Sequence, residues 1–225
     1  MFCCAINNTL ALRCYVPNKV AVNDTHKKPR NKSKAHIRFE AREGKQVAVK
    51  DYSSRRGMLK LYGRFTLKNE ARAYDRLSGA PGIPACYGFK GRDILEIESI
   101  PGRPLSAFKP GAVQAEIFKK FEQILASMHS RGVANGDVHR SNVLVTGSGE
   151  VYLIDFAHSF VARNPKKPGL LTRAVMDLDL HAFARIKARY LRLPEPSPQG
   201  IFGFFYIALS SLKKGFKRLK KVLSR

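Results

Sequence analysis

The segment Pro101-Gly102-Arg103-Pro104 divides this chain into two parts with different hydrophobic periods, and that division limits the folds open to it. Two prolines in four residues remove backbone donors and lock φ, so neither a helix nor a central strand runs through them. Upstream, residues 36–40 and 46–52 flank a turn at Arg42-Glu43-Gly44-Lys45, and Val47 and Val49 alternate with smaller or polar residues as in a half-buried strand. Residues 84–89 and 94–100 read as two further strands joined at Lys90-Gly91-Arg92-Asp93. Between these pairs, Phe65, Leu67, Ala71, Tyr74 and Leu77 recur at mixed helical spacings, predicting a helix over 64–77 that Gly79-Ala80-Pro81-Gly82 stops. Downstream, helices are predicted over 112–130 and 176–191, the second ended by Pro194. Between them lie residues 133–145, a turn at Gly147-Ser148-Gly149 and an apolar strand over 151–154. The order is α+β: a strand-rich half with one helix, then a helix-rich half.

At 225 residues and 44% hydrophobic content the chain can bury a core, which excludes wholesale disorder. No run of about 20 apolar residues is present, so no helix is expected to span a bilayer. No basic stretch precedes an apolar one at the N-terminus, so no signal peptide is expected. Cys3, Cys4, Cys14 and Cys86 form neither a CxxC pair nor a disulfide framework, which points to a reducing compartment. The histidines lack ligand spacing, so no zinc site is expected. The formal net charge of +24 favours anionic partners. No aromatic-interleaved RNA motif accompanies it, so nucleic acid is not the expected one.

Chemistry is carried by an ordered set: Lys50 ending Val47-Ala48-Val49-Lys50, Glu70 in the following helix, Asp137 and Asn142 in Gly136-Asp137-Val138-His139-Arg140-Ser141-Asn142, and Asp155 after the strand 151–154. Each residue alone is ordinary, a surface lysine, a helix glutamate or a turn aspartate. Together they are the parts that phosphoryl transfer requires, because a nucleotide's phosphates must be positioned and neutralised. A lysine grips the α and β phosphates, and a glutamate from a neighbouring helix holds that lysine. Asp155 and Asn142 supply hard oxygen ligands suited to magnesium. Asp137 accepts the acceptor hydroxyl's proton. His139, two residues on, orders the loop by hydrogen bonding.

Over residues 35–192 the chain resembles the protein-kinase-like superfamily, in particular small bacterial lipopolysaccharide-core (Kdo/heptose) kinases and RIO-like kinases. The loop 136–142 is similar to the Gly-Asp-x-His-x-x-Asn loop of lipopolysaccharide kinases and aminoglycoside phosphotransferases. Ile154-Asp155-Phe156-Ala157 resembles Asp-Phe-Gly, with alanine in place of glycine. The stretch from Leu95 to Leu105 is similar to a kinase hinge, which implies that backbone groups of Glu98 and Ile100 meet adenine. Asp179 resembles the helix aspartate that braces the catalytic loop, with Asp177 its competitor. The resemblance implies a two-lobed kinase fold with a shortened C-lobe, ATP and Mg2+ as cofactors, and a hydroxyl acceptor. Three departures stand out. No Gly-x-Gly-x-x-Gly loop precedes Lys50, and Gly44-Lys45 is not a Walker A motif. Only 24 positions separate Asp155 from Asp179, with no Ala-Pro-Glu, which leaves little room for a peptide platform and favours a glycolipid sugar acceptor over a protein serine or threonine.

The expected organisation is a basic extension over 1–34, an N-lobe over 35–100, a C-lobe over 101–196, and a basic amphipathic helix over 197–225. In the last, Ile201, Phe205, Ala208, Leu212, Phe216, Leu219 and Leu223 share one face, and from Lys213 onward the other face is almost wholly basic. Such a helix fits an anionic membrane surface, where each cation contributes about 1 kcal/mol. The expected location is cytoplasmic, peripheral on the inner face of a bacterial cell membrane. The rival from another class is a non-catalytic binding module.

Overall fold

The structure, a computed structural model, describes residues 34–42 and 44–197. The first half is an antiparallel sheet of four strands in the order β1-β2-β4-β3, with α1 crossing it. β1 (His36–Arg42) and β2 (Lys45–Asp51) pair in register from His36–Asp51 to Arg42–Lys45. β2 also pairs with β4 (Ile94–Glu98), and β4 with β3 (Cys86–Lys90). Val47 and Val49 are buried as the alternation predicts.

Helix α1 runs over Gly57–Arg76, two turns longer at its start than its apolar pattern predicts. Its inward face is Gly63, Thr66, Leu67, Glu70, Ala73 and Tyr74. Phe65, counted above among the apolar signals of this helix, points to solvent with 68% of its surface exposed. Tyr52 lies so close that a Cβ on Gly63 would come within 2.3 Å of its ring, so only glycine allows this approach. Lys60 and Arg64 both ion-pair with Asp93 in the β3–β4 turn, which sets the helix against the sheet.

The Pro101–Pro104 break is itself a short edge strand. β5 (Gly102–Pro104) pairs with β7 (Val143–Thr146), which pairs with β8 (Val151–Leu153), so the chain leaves the first sheet and enters a second one directly. Proline is tolerated because only one side of β5 is paired. α2 (Ala115–Ser130) buries Ile117, Phe118, Phe121, Ile124, Leu125 and Met128. These recur at helical spacing along one face. α3 (Leu170–Leu191) starts six residues before its predicted position, and Leu170 and Leu171 in that extra length are exposed. Phe121 meets Phe183 of α3 edge-to-face at 5.1 Å, and the Tyr190 hydroxyl donates to the Leu105 carbonyl at 2.6 Å. β6 (Val133–Ala134) and β9 (Phe160–Val161) form a two-stranded ladder beside the loop that carries Asp137. One apolar cluster runs from Tyr52, Leu67 and Leu95 through Leu105, Phe118 and Leu153 to Tyr190, joining both halves.

None of the described helices is long and apolar enough to cross a membrane. The basic amphipathic segment and the N-terminal extension fall largely at 198–225 and 1–33, outside the described residues.

Candidate active site

Lys50 sits on a central strand, flanked by Ile37 on β1 and Leu95 on β4. Alternation places its side chain opposite buried Val49, on the face that carries Leu95 into the joint core. Its ammonium donates to Glu70 Oε1 at 2.6 Å and to Asp155 Oδ1 at 3.1 Å. Thus the strand lysine, the α1 glutamate and the aspartate after β8 meet, from three elements far apart in sequence.

Glu70 is 1% exposed, and the same Oε1 accepts the Phe156 backbone N–H at 3.3 Å. Phe156 is fully buried edge-to-face on Tyr74, one helical turn beyond Glu70. Burial opposes the charge on Lys50, but the two carboxylates outweigh it and hold its pKa above the ordinary lysine value. Burial pushes Glu70 upward against the pull of Lys50. For Asp155, burial also pushes upward, yet the Lys50 ammonium prevails and the carboxyl titrates below its usual range. Lys50 and Asp155 therefore face each other as an ion pair at neutral pH, and Asp155 is the accessible member of the trio at 42% side-chain exposure.

Asp155 adopts φ 69°, a left-handed backbone that non-glycine residues avoid. Hydrogen bonds on both sides hold it there. Asn135 Nδ2 donates to the Asp155 carbonyl at 3.1 Å, and the Ile154 N–H donates to the Asn142 carbonyl at 2.9 Å. The side-chain oxygen of the same Asn135 accepts the Asp137 N–H at 2.9 Å. One buried asparagine therefore ties the base candidate to the metal-ligand candidate. No sequence reading singled out Asn135; its place directly before Gly136-Asp137 was the available signal. Asn142 closes the loop by donating from Nδ2 to the Asp137 carbonyl at 3.1 Å, which turns its Oδ1 away from that carbonyl.

Below the loop, Asp179 is 1% exposed and accepts the N–H groups of Asn135 (2.7 Å) and Gly136 (2.9 Å), with His129 Nε2 at 3.2 Å. Its competitor Asp177 is exposed. Gly136 has φ 74°, and a Cβ there would sit 2.8 Å from the His158 carbonyl oxygen, so this position demands glycine. His139 Nδ1 accepts the Ser141 N–H at 3.3 Å. A second asparagine that sequence reading missed, Asn69 on α1, donates to the carbonyls of Ala157 (3.1 Å) and Ser159 (2.8 Å) and anchors the segment after Asp155.

Glu98 and Ile100 stand where β4 leaves the first sheet. The Glu98 N–H is taken by the Ala85 carbonyl and the Ile100 carbonyl by the Gly102 N–H, each at 2.8 Å. The β1–β2 ladder closes with Arg42 paired to Lys45. Among the described residues no cluster of three or more His, Cys, Asp or Glu side chains forms a metal cage. An amide oxygen and a carboxylate, Asn142 and Asp155, on adjoining backbones are instead the sparse oxygen set that magnesium accepts when phosphates and water complete its shell.

Comparison with known proteins bears on the fold and the family. Part of the chain is 29% identical over 111 residues to a protein named Probable SapB synthase from Streptomyces coelicolor; the match covers 40% of this chain and spans 12% of that protein's length. The structure is similar to the crystal structure of the Rio2 kinase from Chaetomium thermophilum, with a TM-score of 0.58 at 15% identity, over 76% of this chain and 58% of that one. A second structure of that kinase, a complex with ADP/Mg2+ and phosphoaspartate, gives a TM-score of 0.56 at 16% identity, over 75% and 56%. These likenesses establish a protein-kinase-like fold. The RIO domain matches residues 18–194, most of the chain, and the protein belongs to the RIO domain family.

Proposed function

We propose that this protein is an ATP-dependent phosphotransferase that moves a γ-phosphoryl group to an acceptor hydroxyl. The observation that carries this reading is the Lys50–Glu70–Asp155 trio, joined through Asn135 to Asp137. Lys50, held charged by two carboxylates, is placed to neutralise the α and β phosphates. The Glu98 carbonyl and the Ile100 N–H are the groups assigned to the adenine edge. Asn142 and Asp155 would hold Mg2+, which neutralises phosphate charge when bound. Asp137 accepts the acceptor's proton as the acceptor oxygen bonds to phosphorus and the bond from phosphorus to the β–γ bridging oxygen breaks. ADP leaves, and the products are a phosphate ester and a protonated Asp137 that returns its proton to solvent.

Two acceptor classes are consistent with this chemistry. The short stretch from Asp155 to Asp179 and the basic face over 197–225 favour a lipopolysaccharide-core or related glycolipid sugar presented at an anionic membrane surface. Membership of the RIO domain family favours a protein serine or threonine. Magnesium-dependent ATP turnover by wild type and Asp137→Ala tests the reaction, and equal rates would refute it. Labelled ATP offered with protein or with deacylated glycolipid separates the acceptors.

A further inference from the structure

A cavity of about 610 Å3 opens directly beside Asp137. Its walls come from α1 (Tyr62, Phe65, Thr66, Asn69), from Gly136 and Asp137, and from residues 157–161 after Asp155. Tyr62 and Phe65 stand three apart on α1, one turn in line, and both are largely exposed. The opposite wall includes Phe160, fixed by its pairing with Ala134 across the β6–β9 ladder. Met58 and Leu61 continue the Tyr62–Phe65 stripe toward the start of the helix, and Met58 is 79% exposed. A helix face this apolar, beginning at the candidate base, is poor solvent surface unless something covers it.

The polar wall groups narrow what that is. The Thr66 hydroxyl donates to the Gly63 carbonyl at 2.9 Å, and the Asn69 amide nitrogen is engaged by the carbonyls of Ala157 and Ser159. A sugar hydroxyl set against the carbon of Phe65 and Phe160 finds no partner there, and each unmatched hydroxyl lost to water costs free energy. A bulky apolar side chain meets no such penalty. Asp137 supplies the only carboxylate of the wall, whereas Lys68 and Arg72 extend the line from Phe65 along α1. Lys68 and Arg72 are both exposed, and two cations on the same helix suit an acidic partner.

We propose that this cavity is the acceptor's specificity pocket, and that it takes a large apolar side chain adjacent to the serine or threonine hydroxyl of an acidic polypeptide. The inference rests on the phosphotransferase reading and deepens it. Tyr62, Phe65 and Phe160 bind the neighbouring side chain, and this holds the hydroxyl at Asp137. These three residues select the acceptor and take no part in the chemistry.

The test offers the full chain, with Mg2+ and ATP, short acidic peptides that contain one serine and differ only in carrying phenylalanine or glycine beside it. The expected result is a KM about tenfold lower for the phenylalanine peptide, the discrimination a hydrophobic pocket typically delivers. Phe65→Ala, at an exposed position, removes that preference by raising KM for the phenylalanine peptide with kcat little changed. Equal KM values for the two peptides, or a preference that survives Phe65→Ala, overturn the pocket. Phosphorylation of deacylated glycolipid with none of peptide overturns it as well, while the phosphotransferase reading stands. Absence of both Mg-ATP binding and turnover in the wild type is the separate result that sinks the phosphotransferase reading itself.

Discussion

Lys50 Nζ lies 2.6 Å from Glu70 Oε1 and 3.1 Å from Asp155 Oδ1, so a single ammonium joins α1 to the strand end that carries the accessible carboxylate. Glu70 is almost wholly enclosed, and its charge is tolerable only while that ammonium is present. Lys50→Met should therefore destabilise the fold by about 3 kcal/mol, the usual cost of stranding a buried charge, and abolish ATP turnover. Adding Glu70→Leu to Lys50→Met should restore most of the stability and none of the turnover. Urea denaturation and single-turnover assays of the three proteins measure both effects.

The same contacts set a pH dependence. Asp155 titrates below the ordinary carboxyl range because Lys50 outweighs its burial, so its stabilising contribution is complete above the unfolded value of about 3.9 and fades as pH falls through the lower folded value. Lys50 has a raised pKa, so its contribution is complete below about 10.4 and fades only as pH rises through the higher folded value. Between these limits the pair stays ionised. In Lys50→Met, Asp155 should protonate at a higher pH than in the wild type, and a 13C-detected carboxyl titration reads the change directly.

Asp179 accepts two buried backbone N–H groups from the loop carrying Asp137. Asp179→Ala leaves both donors without partners, at about 1–3 kcal/mol each. Turnover should fall well beyond the loss of folded protein, while Mg-ATP affinity changes little, because Lys50 and Glu70 are held by other elements. Calorimetric titration with Mg-ATP beside kcat checks the split. Asp177→Ala, on the exposed side of α3, should leave both values unchanged.

Asn135 bonds the Asp137 N–H with its oxygen and the Asp155 carbonyl with its nitrogen, so both ends of the amide are needed. Asn135→Asp keeps the acceptor and loses the donor. It should release the left-handed backbone at Asp155 and lower kcat more than it raises KM for ATP, by about tenfold or more, since small displacements at a reacting centre are costly. Asn135→Ala should be worse on both counts.

Gly136→Ala is a backbone test of the same loop. Its added methyl meets the His158 carbonyl oxygen at 2.8 Å while φ stays at 74°, a combination expected to cost about 1–3 kcal/mol. A lowered Tm with a shifted loop, seen as altered amide signals for Asp137 and Asn142, is the expected outcome.

The order of strands and helices was legible along the chain because period and turn chemistry are local: Val47 and Val49 alternate, and glycine and proline mark the boundaries. Lys50, Glu70, Asp137, Asn142 and Asp155 were singled out together because phosphoryl transfer calls for those side chains in that order, and the structure brings the first two into contact with Asp155. Helix starts were less so. The first two turns of α1 and the opening of α3 carry exposed apolar residues, whose pattern cannot announce a face that packs on nothing described. Pro101–Pro104 read as a break because proline's missing donor is a local fact, whereas the free edge that accommodates it belongs to the second sheet. Asn135 and Asn69 were decided by tertiary structure alone, and Asp179, named over Asp177 from the resemblance, has its partners only there. Their partners lie 20 to 90 residues away or across a helix, and hydrogen bonds between distant segments leave no period in the chain.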